Sequence, residues 1–366
     1  MFKVNWQSGE AGHPALHNAI GRVINFRYYV RDGSLQQMVN DAITNKRPVE
    51  LEPGKTYDLS APLVISNTRR VIVNGNGAVI RATADMNCLL DMNGIADCRL
   101  EDFDLMTAEN VVVQDMARLR WDGTVARSTA RNIFRQIHVG GRYVNGWRVG
   151  EPGSNLQCDT TLFEGCSLSG GWTPGEATLW QRGLIVGSGV VANNMLHTFS
   201  ACTTYHHRVH YEITSCQYVN LVNGCNGSYS EIDILHNSPQ PVNLDGYRSE
   251  NGACLLEANV GGATFPMRVS IRNSGFHPGS GGATMGANRA VIRVNYGGYL
   301  ELRNLTATPL PEGTVMVSGA GLQRPLSIDA YGVSMMGHPV QRYAVDNVTV
   351  QEFGAIEVDA SGGMVL

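Results

Sequence analysis

The sequence predicts an all-β fold, a single right-handed parallel β-helix (solenoid) with an N-terminal capping α-helix. Three observations lead to this prediction. An amphipathic helix lies near the start, short apolar runs punctuated by Gly, Asn and Pro follow it, and a six-residue phrase recurs from residue 100 onward. The composition agrees, because 42 glycines and only 16% charged residues suit strands and tight turns better than helices.

The predicted capping helix covers residues 34–47. Ser34 with Gln37 three residues later forms a capping box at its start. Lys46 lies where the helix dipole favours a cation, and Pro48 ends the helix. Five apolar residues at helical spacing form its buried stripe: Leu35, Met38, Val39, Ala42 and Ile43.

The remainder of the chain, to residue 366, is predicted to form the β-helix itself. Short apolar or β-branched runs at 49–51, 56–59, 63–65 and 71–73 are separated by Gly, Asn and Pro, which is typical of strands joined by tight turns. Residues 1–33 contain several aromatic side chains. They are predicted either as an arm that attaches to a neighbouring protein or as an extra capping strand.

The recurring phrase reads apolar, any, small or polar, apolar or Cys, any, apolar. Clear copies begin at Leu100, Phe134, Phe163 and Phe199, and weaker copies begin at Ile213, Ile271, Leu302, Ile328 and Val350. Positions one, four and six are predicted to point inward and to stack on their counterparts ~4.8 Å along the axis. Position three is predicted to lie at a bend with left-handed backbone angles, at Asp102, Gly165 and Asn273.

Three cysteines fall at position four of the phrase: Cys166, Cys202 and Cys216. The eight cysteines contain no C-x-x-C pair and no zinc-type spacing. An inward ladder of small thiols is therefore predicted in preference to disulfides or a metal site, and no cofactor is predicted.

The chain resembles the pectate-lyase-like superfamily, in the branch of bacteriophage tailspikes and related virion proteins. The resemblance rests on the helix at 34–47, on the segment 49–57 with its Pro-Gly-x-x-Tyr turn, on residues 63–65 and on the segment 245–251. It covers residues 33–355 and implies a helix that caps the open end of the solenoid and a homotrimer. It does not imply one activity, because the fold hosts lyases, hydrolases, epimerases and non-enzymatic fibres alike.

The N-terminus shows no basic start followed by an apolar run, and no stretch is long enough to span a membrane. We therefore expect synthesis in a host cytoplasm, release in a virion and no membrane insertion. The formal net charge of −4 gives no reason to expect nucleic acid as a partner.

Outward-facing carboxylates are the first candidates for catalysis, because glycoside hydrolysis needs two of them in one groove. Position two of the phrase carries Glu101, Arg135 and Glu164 in successive copies, which indicates either a surface charge ladder or a catalytic Glu164. A second outward group would contain Glu212, Glu231 and Asp233, either as an acid/base pair or as solvated surface carboxylates.

The most unusual local composition is residues 203–211, where histidines lie among tyrosines and an arginine. One interpretation is a carbohydrate-binding loop, another is catalysis or a metal site, although no third ligand is evident in register, and a third is an inter-rung loop whose polar groups satisfy the backbone. The carbohydrate-binding candidates are Tyr205, His206, Arg208 and Trp172, and the histidine candidates for catalysis are His207 and His210. Trp172 is compatible with stacking on a sugar or with packing beneath a loop.

Two functions follow from these patterns, and a third shares their fold. The first is a trimeric virion-associated spike with a structural or host-attachment role, whose partners are itself, other virion proteins and bacterial surface polysaccharide. The alternative is a polysaccharide depolymerase, a hydrolase or lyase, using Glu164, Asp233, His207 or His210. An adhesin that binds glycan without turnover is the third. An enzyme should show a groove in which at least two titratable groups converge.

Overall fold

The structure is a computed structural model that describes residues 34–156, 158–187, 196–214, 216–238, 240–259, 266–279, 289–354, 356–359 and 364–365. The N-terminal arm predicted at 1–33 lies outside these residues. The helix α1 (Leu35–Asn45) opens the described chain. Thirty-one strands in the described residues form one sheet, which confirms the predicted parallel β-helix with its capping helix.

The strands are β1 (Val49–Glu50), β2 (Thr56–Leu59), β3 (Leu63–Arg69), β4 (Ile72–Ala82), β5 (Met86–Ala96), β6 (Arg99–Thr107), β7 (Val113–Arg120), β8 (Thr129–Val139), β9 (Tyr143–Val149), β10 (Cys158–Glu164), β11 (Ser167–Ser169), β12 (Arg182–Val186), β13 (His197–Ser200), β14 (Thr203–Tyr205), β15 (Val209–Ile213), β16 (Val219–Val222), β17 (Asn226–Ser230), β18 (Ile232–His236), β19 (Val242–Asp245), β20 (Arg248–Gly252), β21 (Leu256–Ala258), β22 (Met267–Arg272), β23 (Gly275–His277), β24 (Ala290–Val294), β25 (Gly298–Arg303), β26 (Thr306–Gly319), β27 (Leu326–Tyr331), β28 (Ser334–Val345), β29 (Val348–Phe353), β30 (Ile356–Asp359) and β31 (Met364–Val365).

The helix forms where the sequence predicts it. Ser34 is the N-cap, and its side-chain oxygen accepts a hydrogen bond from the Gln37 N–H at 3.2 Å. Lys46 ends the helix with a left-handed backbone, at φ 53°. Leu35 and Val39 pack into the cluster that contains the first inward residues of the solenoid, so the helix closes the start of the core.

Three faces run along the solenoid, and each pairing in the sheet is parallel except that of β30 with β31. Face A contains β10, β13, β16, β19, β22, β25, β27 and β29 in order. Face B contains β11, β14, β17, β20 and β23, and face C contains β9, β12, β15, β18, β21 and β24. The long strands β4, β6 and β8 turn the corner from face A to face B.

That corner is the recurring phrase. Leu100, Phe134, Phe163 and Phe199 stand in register on successive rungs, and all four are buried. Position three has positive φ in all four clear copies, as predicted for Asp102 (61°) and Gly165 (61°), and Asn273 (50°) of a weaker copy also has it. One left-handed residue is therefore enough to turn the chain between faces A and B.

Three of the weaker copies were assigned to the wrong register. Ile213 pairs with Val186 and ends a strand of face C, whereas the residue stacked on Phe199 is Leu221. Leu302 pairs with Ala330, so the copies taken from Ile328 and Val350 begin two residues too early.

The thiol ladder exists with a different third member. Cys225 rather than Cys216 follows Cys202, because Thr203 pairs with Asn226 on the next rung. Cys216 lies between faces C and A, where its N–H donates to the Ser238 hydroxyl at 3.3 Å. All eight cysteines are buried and are thiols rather than disulfides.

An aromatic stack fills the core beside this ladder. The rings of Phe134, Phe163 and Phe199 stack at centroid separations of 5.0 and 4.8 Å. Trp147 lies against the first two at 4.9 and 5.0 Å. Such contacts add to the free energy gained by burying the rings, so this stack is a main source of stability in the middle rungs.

Candidate ligand-binding site

Glu164 belongs to a ladder of alternating charge on the outer surface of face A. It pairs in register with Arg135 and Ser200, and its carboxylate accepts a hydrogen bond from Arg135 Nε at 2.6 Å. Both side chains are well exposed. No second carboxylate stands beside Glu164 on either adjacent rung, so the geometry of a hydrolase pair is not formed here.

Asp233 is not an outward residue, which corrects its predicted place beside Glu212 and Glu231. Its side chain is fully buried, and every residue of β18 is buried. Both sides of this strand are covered, so alternation along it does not indicate which residues face solvent.

His207 and His210 are also fully buried, so neither lies on the surface where a catalytic histidine would reach a polysaccharide. The Tyr143 hydroxyl and His207 Nε2 are hydrogen-bonded at 2.8 Å, and the two histidine rings meet edge to face at 5.8 Å. His210 Nε2 lies 3.7 Å from Asp233 Oδ1, and the Ser230 hydroxyl donates to the same carboxyl oxygen. We call His207, His210, Ser230, Asp233 and Tyr247 the polar column.

Burial favours the neutral form of each ionisable group in the polar column. It lowers the pKa of His207 to about 3 and that of His210 well below its ordinary value. It raises the pKa of Asp233 to about 7, although the Ser230 hydrogen bond acts in the opposite direction. His210 and Asp233 are therefore a neutral pair below about pH 7 rather than a salt bridge.

Glycines make room for these side chains. A Cβ at Gly227 would lie 2.3 Å from the Tyr247 hydroxyl oxygen and 2.6 Å from His210 Cδ2. A Cβ at Gly252 would lie 2.8 Å from Ser249 Oγ. The column fills space that larger residues on these strands would close.

The predicted carbohydrate-binding residues are divided between surface and interior. Tyr205 and Arg208 are exposed, and His206 stacks on Tyr229 with ring centroids 4.4 Å apart. Trp172 is only 5% exposed and packs on Ala253, so it lies beneath a loop rather than on a sugar-stacking surface.

Arg208 contributes to a depression of about 420 Å³ on the outside of face C. We call it the face C depression, and its polar lining consists of Gln114, Asn145, Arg148, Gln181, Arg182, Arg208, Glu212 and Thr214. Because β12 pairs in register with both β9 and β15, side chains that are distant in sequence lie together here. Arg148 and Arg182 were not predicted from the sequence.

Each arginine of the face C depression is bound to a carboxylate through Nε. Arg148 Nε donates to Asp115 at 3.2 Å, Arg182 Nε donates to Glu212, and Arg208 Nε donates to Glu231 at 2.6 Å. This arrangement orients the guanidinium groups and offsets part of their charge, since Asp115 is shared by Arg148 and Arg118. In the part of the chain that the structure describes, the terminal nitrogens of Arg148 and Arg208 have no acceptor and remain able to donate to a ligand.

Asp115 is the buried support of this site. Its side chain is 1% exposed and also accepts hydrogen bonds from Arg118 Nε at 2.6 Å and from Asn145 Nδ2 at 2.7 Å. Among the described residues, no group of three His, Cys, Asp or Glu is arranged to hold a metal ion. None of the helices described is long and apolar enough to cross a membrane.

No protein-family model and no curated protein matches the sequence. Among solved structures, the chain is similar to the A-module of a mannuronan C-5 epimerase from Azotobacter vinelandii (14% identity, TM-score 0.49, 90% of this chain and 97% of that one). It is also similar to the catalytic unit of an α-1,3-glucanase from Streptomyces thermodiastaticus (15% identity, TM-score 0.47, 87% of this chain) and spans 66% of that chain. Tailspike protein 3 of bacteriophage CBA120 is similar at 10% identity and TM-score 0.32, over 99% of this chain and 70% of that one.

Proposed function

We propose that this chain is the β-helix body of a virion attachment spike, and that it holds a bacterial surface polysaccharide in the face C depression without cleaving it. The observation that carries the binding role is the set of three guanidinium groups fixed around one depression. The virion location and the homotrimer are supported by the sequence resemblance at 34–65 and 245–251.

The chemistry of the depression suits the hydroxyl groups of a sugar. Guanidinium and amide groups offer planar hydrogen-bond donors, and the amide oxygens of Asn145 and Gln181 offer acceptors. Val144 and Ile185 add an apolar contact to the same lining. Few, well-placed polar groups around an apolar contact are typical of small-molecule and glycan sites.

The ion pairs of the carboxyl groups around the face C depression favour binding over hydrolysis. A glycosidase needs a carboxylic acid whose pKa is raised, so that it can protonate the leaving oxygen. Glu212 and Glu231 each accept a hydrogen bond from an arginine, so neither carboxyl group is free to contact a glycosidic oxygen. Asp233 does have a raised pKa, but it lies in the interior, away from any polymer on the surface.

The test is binding of the full chain to a panel of bacterial capsular and O-chain polysaccharides, followed by sizing of the glycan and light scattering of the protein. We expect the Arg182→Gln/Arg208→Gln variant to bind at least about tenfold more weakly, a loss of about 1.4 kcal/mol. Arg81→Gln is the matched control, because Arg81 also pairs through Nε with a carboxylate, that of Asp58, but lies far from the depression.

If the double variant and the control bind the polysaccharide equally well, the face C depression is not the binding site. If the glycan is shortened, the function is depolymerisation and not attachment without cleavage. A stable trimer is expected in light scattering, and a monomer would contradict the trimeric spike.

A further inference from the structure

A second and larger groove, of about 740 Å³, lies on the outside of face A near the C-terminal end. We call it the face A groove. It lies over β22, β25 and the segments that precede them. Its lining includes Arg268, Arg272, Tyr299, Glu301 and Arg324. The recurring six-residue phrase overlaps these strands, but it predicts only their inward residues, so the groove was not predicted from the sequence.

The ring of Tyr299 is presented at this groove in a fixed orientation. It is 38% exposed, and its hydroxyl donates to Asp329 Oδ2 at 2.8 Å. Its in-register neighbours are Arg268 on one side and Ser327 on the other. A tyrosine held at its far end offers a flat surface for the apolar side of a pyranose ring.

The carboxylate inside the groove is already neutralised. Glu301 is 5% exposed and accepts hydrogen bonds from Arg272 Nη2 at 2.7 Å and from the Ser270 hydroxyl at 2.6 Å. Arg303 forms a further ion pair with it. Glu301 is therefore part of the wall and does not repel an anionic ligand as a free carboxylate would.

Two other arginines of the groove have no such compensation. Arg268 and Arg324 have no carboxylate partner among the described residues, and Arg324 lies over the Tyr296 ring at 5.8 Å. This differs from the face C depression, where each arginine is paired. Two uncompensated guanidinium groups next to an exposed tyrosine form a site for a flat ring that carries an oxyanion.

We propose that the face A groove is a second binding site, separate from the face C depression, and that its ligand is an acidic saccharide. A sugar ring stacks on Tyr299 while its carboxylate or sulfate group is bound by Arg268 and Arg324. The positive charge of the two guanidinium groups makes this binding sensitive to salt.

The test is calorimetric titration of the full-length chain with tetragalacturonate, with a sulfated heparin tetrasaccharide and with neutral maltotetraose. The titrations are repeated in the Arg182→Gln/Arg208→Gln background, so that any remaining binding reports the face A groove. We expect at least one acidic probe to bind, and to bind at least about tenfold more weakly to both Tyr299→Ala and Arg268→Gln/Arg324→Gln. Tyr299→Phe keeps the ring and should retain most of the affinity.

Tyr218→Ala is the control, since Tyr218 is also an exposed tyrosine (48%) and does not line the groove. Thermal unfolding shows that each variant is folded. The proposal is overturned if neither acidic probe binds, if maltotetraose binds as tightly, or if Tyr299→Ala binds like Tyr218→Ala. Loss of acidic binding in the face A variants, with no effect of the face C substitutions on polysaccharide binding, would retain this site and reject the function proposed for face C.

Discussion

The aromatic stack and the polar column occupy successive stretches of the core and meet in the rung that contains Phe199 and His210, and their stabilities have different physical origins. Phe163 contacts Phe134 and Phe199 through ring faces and needs no particular protonation state. His210 and Asp233 keep their places only as neutral groups, in space left by glycines such as Gly227. The stability of the aromatic stack should change little with pH and should fall when a side chain is shortened. The stability of the polar column should depend on pH and should fall when a side chain is enlarged.

Removing a ring from the aromatic stack should give the largest effect. We expect Phe163→Ala to lower the free energy of unfolding by about 3–5 kcal/mol, because a fully buried phenylalanine leaves a cavity between two rings. Urea denaturation at pH 5, 7 and 8 measures it. Phe353→Ala is the control, as Phe353 is 57% exposed and should cost about 1 kcal/mol or less. A loss at Phe163 that varied strongly with pH would break the contrast.

Adding a methyl group beside the polar column should have the next largest effect. Gly227→Ala places a Cβ against Tyr247 and His210, and we expect a cost of about 1–3 kcal/mol from overpacking. Gly275→Ala, on the same face of the solenoid, meets nothing within 4 Å and serves as the matched control. Equal midpoints of thermal unfolding for the two variants would show that the column can move aside.

Acid should destabilise the polar side of the core through its buried histidines. The pKa of His236 is lowered by burial to about 3, and neither ring nitrogen has a hydrogen-bond partner in the described chain. The unfolded chain binds a proton near pH 6.5 that the folded chain does not, so stability falls as pH falls below that value. Between pH 7.5 and pH 5 the unmodified chain should lose about 2 kcal/mol of unfolding free energy because of this histidine, and His236→Leu should not show that loss. An unchanged acid slope would contradict this.

Asp233 should act in the opposite direction with a smaller effect. Its folded pKa of about 7 lies above the ordinary value of 3.8, so the folded chain retains a proton that the unfolded chain releases. This stabilisation is complete below about pH 3.8 and is lost as pH rises through 7. Between pH 6 and pH 8 the unmodified chain should lose about 1 kcal/mol that Asp233→Asn keeps. Parallel stability profiles for the two chains would show that Asp233 is ionised when folded.

The sequence was sufficient for the fold because its strongest signals are local. Ser34 caps α1, and the phrase at Leu100 contains both the inward residues and the left-handed corner. The prediction was wrong where the corner gained a residue. After Leu221 the turn contains both Asn223 and Gly224 at positive φ, so the six-residue spacing fails and Ile213 was chosen instead.

The candidate sites were harder to predict, because a site on a solenoid is assembled across rungs. Arg148 and Arg182 are 34 positions apart and become neighbours only through the pairing of β9 with β12. Burial was equally hidden: Val209, His210 and Tyr211 are consecutive residues of one strand, and all are buried. A strand covered on both sides no longer alternates between solvent and core, so His210 could not be placed from its position in the sequence.

The single left-handed residue at the corner between faces A and B has a consequence for protein engineering. At Gln136 and Ala201 the chain changes direction at a single residue, so this corner has the same length on many rungs of the solenoid. Foreign peptides grafted into that edge would push the next rung out of phase. The edge between faces B and C already contains a longer excursion, from Gly170 to Gln181, and is the natural place to display an epitope or a tag.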